Sequence, residues 1–361
     1  MKINFIDLQA QYRHYKEEID REIHEVLDTS GYIMGPKVKE LEENLAGFAG
    51  VKHAIACSSG TDALTLSLMS IGIKPGDEIV TTPFTFIATA ESIAFLGAKP
   101  VFVDIDAKTY NIDTALIEEK ITAKTKAVIP VSLFGQVSDM DTVNAIAKRH
   151  GLKVIEDAAQ SFGATYKGKR SCSLSDLACT SFFPAKPLGC YGDGGAVFTD
   201  DDDIAKRLRV ILNHGQTKRY VHTEIGMNGR LDAIQAAVLK VKLKYFNEEI
   251  KKRVRIADKY SRGLKNITPP YVSSDCRSAW AQYCIRTGNR EEMLKKCSDN
   301  GVPTGIYYPI PLHLQKVFEY LGHKEGDFPV SEQASKEIMA LPMSAFLTDE
   351  EQNYIINTIN G

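Results

Sequence analysis

Between His53 and Glu156, short apolar runs alternate with segments in which apolar residues follow helical spacing. The runs have the length and composition of buried strands, and the segments between them predict helices. Parallel strands need a crossover connection, so this alternation predicts a mainly parallel sheet with helices on both faces. The predicted strands are residues 53–57, 78–81, 100–104, 126–133 and 153–156. We therefore expect an α/β fold.

The segments on either side of this alternation extend the prediction. Residues 19–27 and 38–48 predict two helices that lead into the first strand, and Leu231 to about Leu264 predicts a long, charged helical connection. We place a domain boundary near Phe246 within it. The remainder predicts a smaller α/β domain, with strands at 278–287 and 302–307 and helices at 291–300 and 348–360. The predicted domains are thus a large one at 1–245, whose N-terminal helix is free to pack elsewhere, and a small one at 246–361.

Composition and charge exclude several classes of function. The chain has 361 residues, 43% of them hydrophobic and 25% charged, with a formal net charge of −2. These values are ordinary for a soluble globular protein and do not indicate the basic surface of a nucleic-acid-binding protein. Residues 1–7 become charged too early for a secretory signal and no run has membrane-spanning length, so a cytoplasmic location is expected. The seven cysteines form no C-x-x-C pair and the eight histidines no H-E-x-x-H pattern, so no metal site is predicted.

Lys186 is the candidate catalytic residue. It lies between Pro184 and Pro187, on a loop that joins two predicted strands at 179–183 and 194–199. The two prolines stiffen the backbone on either side, so the lysine is presented from a fixed position. Fixed presentation and burial suit a lysine that forms a Schiff base, because only the unprotonated amine reacts. Taken alone, the residue is equally compatible with a solvated surface lysine.

Asp157 strengthens the prediction that Lys186 is catalytic. It directly follows an apolar strand predicted at 153–156. In an open α/β sheet, ligands bind beyond the carboxyl ends of the strands. Pyridoxal phosphate (PLP) needs a lysine for its aldehyde and a carboxylate for its ring nitrogen, and this pair can supply both. Asp157 by itself could instead cap the following helix.

Three motifs carry a resemblance to a known family: EDAAQS at 156–161, SFFPAKPLGCYGDGGA at 181–196 and GMNGRLD at 226–232. Together they resemble the DegT/DnrJ/EryC1/StrS family of PLP-dependent sugar-nucleotide aminotransferases. The similarity extends from FIDL at 5–8 to YPIPLH at 308–313. It implies a fold type I transferase of the aspartate-aminotransferase kind, with PLP as cofactor and Lys186 and Asp157 as catalytic residues.

The resemblance also implies a set of cofactor contacts. The turn at 57–63 joins the first strand to an apolar helix, and its small residues leave the first helical amides open to an anion. In the family this turn holds the cofactor phosphate, although Ser and Thr at a helix start also serve as simple caps. An aromatic residue after the second strand could stack on the cofactor ring, and the resemblance favours Phe84, which leaves Phe86 to the core. The implied cofactor-binding residues are Ser59, Gly60, Thr61, Phe84, Asp157, Gln160, Ser181, Lys186 and Asn228.

Substrate contacts are implied in the same way. The resemblance makes Asn228 a phosphate ligand that reaches into the site of a neighbouring subunit, with Arg230 close to the substrate, so that a homodimer with composite sites is expected. A capping asparagine and a surface arginine remain the alternative. Tyr308 and His313 belong to a segment that faces the mouth of the site in the family, although His313 is equally compatible with an ordinary loop histidine.

The reaction implied by the resemblance is transamination in two halves. Lys186 would hold the cofactor and then, once displaced, act as the general base that moves a proton, while Asp157 keeps the ring nitrogen protonated. Glutamate is the implied donor, and the implied acceptor is a nucleotide-linked keto-sugar. KGKRSC at 167–172 and the Lys186 stretch are most similar to enzymes that aminate C3 of UDP-2-acetamido-2-deoxy-3-oxo-glucuronate for surface polysaccharides.

The sequence leaves several other functions to consider. The first is amination at C4 of a UDP- or dTDP-linked 4-keto-6-deoxysugar. A sugar dehydratase with the same cofactor is disfavoured because that branch of the family replaces the Schiff-base lysine. A nicotinamide-dependent sugar dehydrogenase is disfavoured because no G-x-G-x-x-G opens the first βα unit. A non-enzymatic regulator would need a DNA-binding segment, and none is apparent.

Overall fold

The computed structural model describes residues 3–361; residues 1 and 2, with which the predicted large domain begins, lie outside the described residues. Its helices are α1 (Leu8–Thr29), α2 (Pro36–Ala49), α3 (Gly60–Ser70), α4 (Ala88–Phe95), α5 (Met140–His150), α6 (Asp202–Ile211), α7 (Ala233–Gly263), α8 (Arg290–Asp299), α9 (Pro329–Glu337) and α10 (Asp349–Asn360). Its strands are β1 (His53–Cys57), β2 (Glu78–Thr81), β3 (Lys99–Phe102), β4 (Thr125–Val128), β5 (Lys153–Asp157), β6 (Thr165–Tyr166), β7 (Lys169–Arg170), β8 (Leu177–Ser181), β9 (Gly195–Thr199), β10 (Gln216–Lys218), β11 (Val221–His222), β12 (Cys276–Arg277), β13 (Tyr283–Arg286) and β14 (Ile338–Leu341).

The central sheet has seven strands in the order β1-β9-β8-β5-β4-β2-β3. The pairs β8–β5, β5–β4, β4–β2 and β2–β3 are parallel, and β9 runs antiparallel to both of its neighbours. The predicted mainly parallel sheet is therefore confirmed. Because β5 and β8 are parallel neighbours, Asp157 and the start of the Lys186 loop leave the sheet at the same edge.

Apolar side chains pack on both faces of this sheet. One buried cluster joins Val80, Val128 and Val154 to helices α2 and α7, and a second joins Ile79, Ile129 and Ile155 to α3 and α6. Residues of β2, β4 and β5 alternate between the two clusters, as the pleat of a strand requires. The continuous apolar runs of the sequence are thus strands that are buried on both sides.

Helix ends follow the polar residues of the sequence. The Asp201 carboxylate accepts hydrogen bonds from the amides of Asp203 and Ile204, at 2.9 and 3.1 Å, and so caps α6. The acidic run at 201–203 therefore has a structural explanation, since negative charge is favourable at a helix N-terminus. At the start of α3, the Ser59 side chain accepts from the amide of Asp62 at 3.0 Å.

The C-terminal part differs from the prediction in one strand. Residues 302–307 do not form a strand, and only a single bridge joins Gly305 to Ala340. The pairing partner of β13 is instead β14, an unpredicted strand that comes after α9 in the chain. Local sequence cannot indicate this pairing, because the two strands are brought together by the packing of Tyr283 and Leu341 against α7 and α10.

Helix α7 passes from one core to the other. Phe246 and Ile250 belong to the cluster of the central sheet, whereas Ile256 and Tyr260 pack with β13, β14 and α10. The helical connection predicted from Leu231 to about Leu264, long or kinked, is the one helix α7. The domain boundary at 245/246 stays a prediction. The N-terminal helix α1 packs on α7 through residues that include Tyr15, Ile19, Val238 and Val241. Across residues 3–361, no helix has both the length and the apolar character that crossing a bilayer requires.

Candidate active site

A cavity of about 440 Å³ opens at the carboxyl ends of β5 and β8. Its wall comes from both parts of the chain, because the loop before α3, the start of α4 and the loop after β8 meet Gln282, Tyr307 and Tyr308 there. Eight of the residues predicted for the site line it, namely Ser59, Gly60, Thr61, Asp157, Gln160, Ser181, Lys186 and Tyr308. Four do not, namely Phe84, Asn228, Arg230 and His313.

Asp157 is a buried carboxylate at the floor of the cavity. Its Oδ2 accepts a hydrogen bond from the Thr89 hydroxyl at 2.7 Å, and its Oδ1 accepts from the amide of Ala159 at 3.2 Å. Burial raises the pKa of the carboxyl, and these two donors and the nearby Lys186 oppose that shift because they stabilise the anion. The aspartate is therefore oriented by protein donors and presents its charge to the cavity.

Lys186 faces the same cavity from a closed loop. Its own amide donates to Phe183 O at 2.8 Å, and the amide of Cys190 donates to Phe182 O at 2.8 Å, so backbone hydrogen bonds close the loop on itself. Burial lowers the pKa of the Lys186 amine, and the negative charge of Asp157 opposes this shift. A lowered pKa increases the fraction of neutral amine, which is the nucleophilic form.

The turn before α3 is built for close approach. A Cβ atom added to Gly60 would lie 2.6 Å from Ser181 Cβ, and one added to Gly195 would lie 2.3 Å from Ser59 O. The first amides of a helix have no partner within the helix. The Ser59 side chain accepts from the amide of Asp62, which leaves the amides of Gly60 and Thr61 available. These two amides lie at the positive end of the helix, beside the hydroxyls of Ser59, Thr61 and Ser181, and such an arrangement is a typical anion site.

Gln160 links the two parts of the chain across the cavity. Its side-chain Oε1 accepts from the amide of Phe134 at 2.8 Å, and its Nε2 donates to the Tyr308 hydroxyl at 3.0 Å. Burial raises the pKa of Tyr308, so the hydroxyl stays protonated at neutral pH and can itself donate into the cavity. The two residues therefore form one polar wall rather than two independent contacts.

The aromatic assignments after β2 are reversed in the structure. Phe84 is 0% exposed and packs with Tyr110 and Phe134, so the prediction that it stacks on a cofactor ring is wrong. Phe86, for which a core position is predicted, is 54% exposed and lines the cavity. Phe84 is removed from the cavity because Tyr110 and Phe134, from later segments of the chain, enclose it in the core.

The two phenylalanines should respond differently to alanine substitution. Phe86→Ala is expected to raise the Kd for PLP roughly 3- to 10-fold, since a lost aromatic contact is worth about 0.5–1.5 kcal/mol. Phe84→Ala is expected to lower the free energy of unfolding by about 3–5 kcal/mol through the cavity it leaves in the core. PLP titration and urea unfolding measure the two effects. Weaker PLP binding in Phe84→Ala with unchanged unfolding would contradict the reassignment.

His313 is also corrected by the structure. It is 1% exposed, and its Nε2 lies 3.0 Å from Glu332 Oε1, which in turn accepts from the amide of Phe328. The imidazole packs against the Phe328 ring at 4.6 Å between ring centres. It therefore holds the segment after Pro311 against α9 and does not reach the cavity of this chain, so it is not a substrate contact here.

Asn228 and Arg230 lie outside the cavity of their own chain. Asn228 is exposed, and the Arg230 side chain donates from Nη1 to Asn213 Oδ1 at 2.7 Å. Their segment is nevertheless close to the anion-binding turn, because the amide of Ser58 donates to Gly229 O at 2.9 Å. Their roles were expected at a site shared with a second subunit and stay predictions.

Two residues of the site were not found from the sequence. Thr89 orients Asp157 and accepts, in turn, from the Thr85 hydroxyl at 3.2 Å. Two threonines four residues apart just beyond a strand are a signal that could have been used, since i and i+4 share a helix face. Gln282 lines the cavity with its Oε1 buried and unpartnered among the described residues, and no local pattern indicates it.

Comparison with known proteins agrees with this geometry. The sequence profile of the DegT/DnrJ/EryC1/StrS aminotransferase family matches residues 13–360. The chain belongs to the DegT/DnrJ/EryC1/StrS aminotransferase family. It is 52% identical over 347 residues to the UDP-2-acetamido-2-deoxy-3-oxo-D-glucuronate aminotransferase of Pseudomonas aeruginosa. The aligned region covers 96% of this chain and 96% of that enzyme.

Solved structures of other family members superimpose on it. The crystal structure of Streptomyces venezuelae DesV in complex with a ketimine intermediate matches with a TM-score of 0.97 at 36% identity and covers 99% of this chain and 97% of that one. The structure of NtdA from Bacillus subtilis with the bound cofactor PMP (pyridoxamine phosphate) matches with a TM-score of 0.92 at 32% identity and covers 99% and 84%. This chain is accordingly a PLP-dependent aminotransferase of the family, with the predicted fold.

The cavity fits PLP as this family uses it. It offers an amine, a carboxylate and an anion-binding turn, which match the aldehyde, the ring nitrogen and the phosphate of the cofactor. The close packing around Gly60 and Gly195 keeps side chains out of the turn, so backbone amides stay accessible to a phosphate. Lys186 is the only basic residue lining the cavity in the described part of the chain, so the phosphate would be held by amides and hydroxyls.

Proposed function

We propose that this protein transfers the amino group of glutamate to C3 of UDP-2-acetamido-2-deoxy-3-oxo-glucuronate, in the synthesis of a surface polysaccharide. The observation that carries the proposal is the 52% identity to the P. aeruginosa enzyme over nearly the whole of both chains. The convergence of Lys186 and Asp157 in one cavity supports the chemistry. C4 amination of a 4-keto-6-deoxysugar is the competing possibility that the experiment below separates.

We propose that Lys186 holds the cofactor and serves as the proton carrier. When bound, PLP supplies an electron sink for the carbanion that forms as the α-proton leaves the amino donor. The Lys186 amine would accept this proton, and its lowered pKa favours the neutral form that can act as a base. Burial disfavours the protonated form of this amine.

We assign to Asp157 the task of keeping the ring nitrogen protonated. Its carboxylate is oriented by Thr89 and Ala159, so it does not need to reorganise as charge develops nearby. Ser59, Thr61 and Ser181 would bind the phosphate with the amides of the turn. Gln160 and Tyr308 form the polar wall at the mouth, and the Tyr308 hydroxyl is a candidate hydrogen-bond donor to the sugar.

The active unit in this proposal is a homodimer. Near Asn228, the segment from Tyr220 to Ile225 carries large exposed apolar side chains, with Tyr220 79% and Ile225 85% exposed. Such exposure is unusual for a free surface and suits an interface between two copies. A second copy would bring Asn228 to the phosphate and Arg230 near the acidic sugar, and Arg230 would then add a cation to a site whose basic lining residue, Lys186, is taken up by the cofactor.

The proposal is tested by a substrate panel. Purified protein is incubated with PLP, glutamate and one keto-sugar at a time: UDP-2-acetamido-2-deoxy-3-oxo-glucuronate, a UDP-4-keto-6-deoxysugar or a dTDP-linked keto-sugar. Formation of 2-oxoglutarate and the mass of the amino sugar are followed, with aspartate as the control donor. We expect kcat/KM to be at least about 100-fold higher for the 3-oxo-glucuronate, because a mismatched polar group leaves site residues unpaired. Absence of amination of this sugar would refute the assignment.

A further inference from the structure

We propose that Lys242 is a positioning residue that holds Lys186 in place from behind the active site. Lys242 lies on α7, outside the cavity, and its ammonium contacts the loop that carries Lys186. The inference rests on the proposed role of Lys186 and adds to it the means by which the loop is fixed. It concerns residues 182–192, which we call the lysine loop.

Lys242 is buried, and its ammonium contacts the second half of the lysine loop. The residue is 2% exposed, and its Nζ donates a short hydrogen bond to Gly189 O. The same Nζ lies 4.7 Å from the centre of the Tyr191 ring, within range of a cation–π contact. Among the described residues, Gly189 O is the only hydrogen-bond acceptor of this ammonium.

Gly189 lies directly against Phe183 and Pro184, near the start of the lysine loop. A Cβ atom there would lie 2.5 Å from Pro184 O and 2.7 Å from Phe183 O, so the two ends of the turn are in direct contact at this residue. The next residue, Cys190, donates its amide to Phe182 O at 2.8 Å. A charged group that fixes the Gly189 carbonyl therefore fixes the neck of the loop, three residues from Lys186.

A second residue of α7 supports the same segment. Gln235 accepts from the amide of Tyr191 at 2.8 Å and donates to its carbonyl at 3.4 Å. Helix α7 thus holds residues 189–191 at the Gly189 carbonyl, the Tyr191 backbone and the Tyr191 ring. Since α7 is packed into the central core through Phe246, it provides a rigid support for the loop.

The charge on Lys242 has no explanation in packing. Burial lowers the pKa of Lys242 to about 8, and the Glu249 carboxylate opposes this shift. A methionine would fill a similar volume without the cost of burying an ammonium. What a methionine cannot supply is a charge-assisted hydrogen bond to a carbonyl, and such bonds are stronger and more directional than neutral ones. We therefore assign the charge to holding the lysine loop.

The inference is tested on the PLP-loaded protein with three variants. Lys242→Met removes the hydrogen bond, and Lys242→Gln keeps a neutral donor. Lys244→Met is the matched control, because Lys244 lies two residues further along α7 and pairs with Glu18 at the surface. Far-UV circular dichroism checks folding. The pH midpoint of the visible absorbance of the Lys186–cofactor linkage is the main measurement, together with kcat and KM.

We expect Lys242→Met to raise the midpoint by at least about 0.5 pH unit, because a looser loop hydrates the nitrogen and favours its protonated form. We expect kcat to fall roughly tenfold with KM for both substrates within about twofold, since misplacement of a reacting group lowers the rate of chemistry. Lys242→Gln should lie between Lys242→Met and the unsubstituted protein, and Lys244→Met should match the latter. Partial rescue by glutamine would not occur if Lys242 only filled space.

Two results would overturn the inference. One is a folded Lys242→Met protein whose midpoint and kcat equal those of Lys244→Met. The other is loss of folding in both Lys242 variants, which would make the lysine a determinant of stability. The Lys186→Ala variant distinguishes failure of this inference from failure of the proposed function. If the unsubstituted protein shows no visible absorbance band that is lost in Lys186→Ala, the proposed function itself fails.

Discussion

Lys186→Ala is expected to lower kcat by on the order of 10⁴-fold, the largest effect of any single substitution in this protein. The substitution removes both the amine that would hold the cofactor and the base that would move the proton, and no other lysine lines the cavity in the described chain. The rate is measured as 2-oxoglutarate formation. Borohydride reduction followed by digestion and mass spectrometry should place a pyridoxyl group on the peptide that contains residue 186.

The control for this experiment is Lys206→Ala. Lys206 lies on α6 with its side chain 77% exposed, and its substitution should leave both kcat and the pyridoxyl adduct unchanged. An adduct on any other lysine, or Lys186→Ala activity above about a tenth of that of the unsubstituted protein, would show that the catalytic amine has been misassigned.

Asp157→Asn is expected to lower kcat by about 10²–10³-fold, as removal of one preorganised electrostatic contact does in other enzymes. Asparagine has almost the same shape, so the change isolates the charge that would keep the ring nitrogen protonated. Burial raises the pKa of Asp157, which means that the folded protein disfavours the charged form. The variant is expected to stay folded without cofactor, while its turnover falls.

Glu156→Gln is the matched control for Asp157→Asn. The two acids are adjacent on β5, but Glu156 Oε1 accepts from the hydroxyls of Ser132 and Ser171, each at 2.8 Å, and its Oε2 from the amide of Cys172 at 2.8 Å. A glutamine amide would turn its N–H groups towards these donors, so a loss of roughly 1–3 kcal/mol in the free energy of unfolding is expected, with kcat within about twofold. A larger loss of kcat in Glu156→Gln than in Asp157→Asn would contradict the roles given to the two residues.

The acid pair also shows why part of the site could be predicted from the sequence. A strand alternates its side chains between two faces, and Asp157 is the last residue of β5, so its position at the open edge follows from local pattern and from the rule that ligands bind at strand ends. The loop between β8 and β9 reaches the same edge because β8 is the parallel neighbour of β5. This strand pairing is known only from the structure, so in the sequence Lys186 and Asp157 are linked only by the PLP chemistry that they can share and by the family resemblance.

Phe84 and His313 show where local pattern was insufficient. Which of two phenylalanines faces the cavity depends on how the chain turns after β2, and Tyr110 and Phe134, which bury Phe84, come from distant segments. His313 is held by Glu332, which reaches it through the packing of α9. The pairing of β13 with β14 likewise depends on distant segments. Arg286 and Glu337, which form a salt bridge at the end of this strand pair, are 51 residues apart in the chain.

The sequence by itself determined the α/β fold, because apolar periodicity is a local property of the chain. Its motifs indicated Lys186 and Asp157 through their resemblance to the family. Only the tertiary structure decided which aromatic side chain lines the cavity, that Gln160 and Tyr308 form one wall, that Thr89 orients Asp157, and that Lys242 contacts the lysine loop. These are contacts between segments far apart in the chain, and they are selected by close packing of the whole core, which no single stretch of sequence encodes.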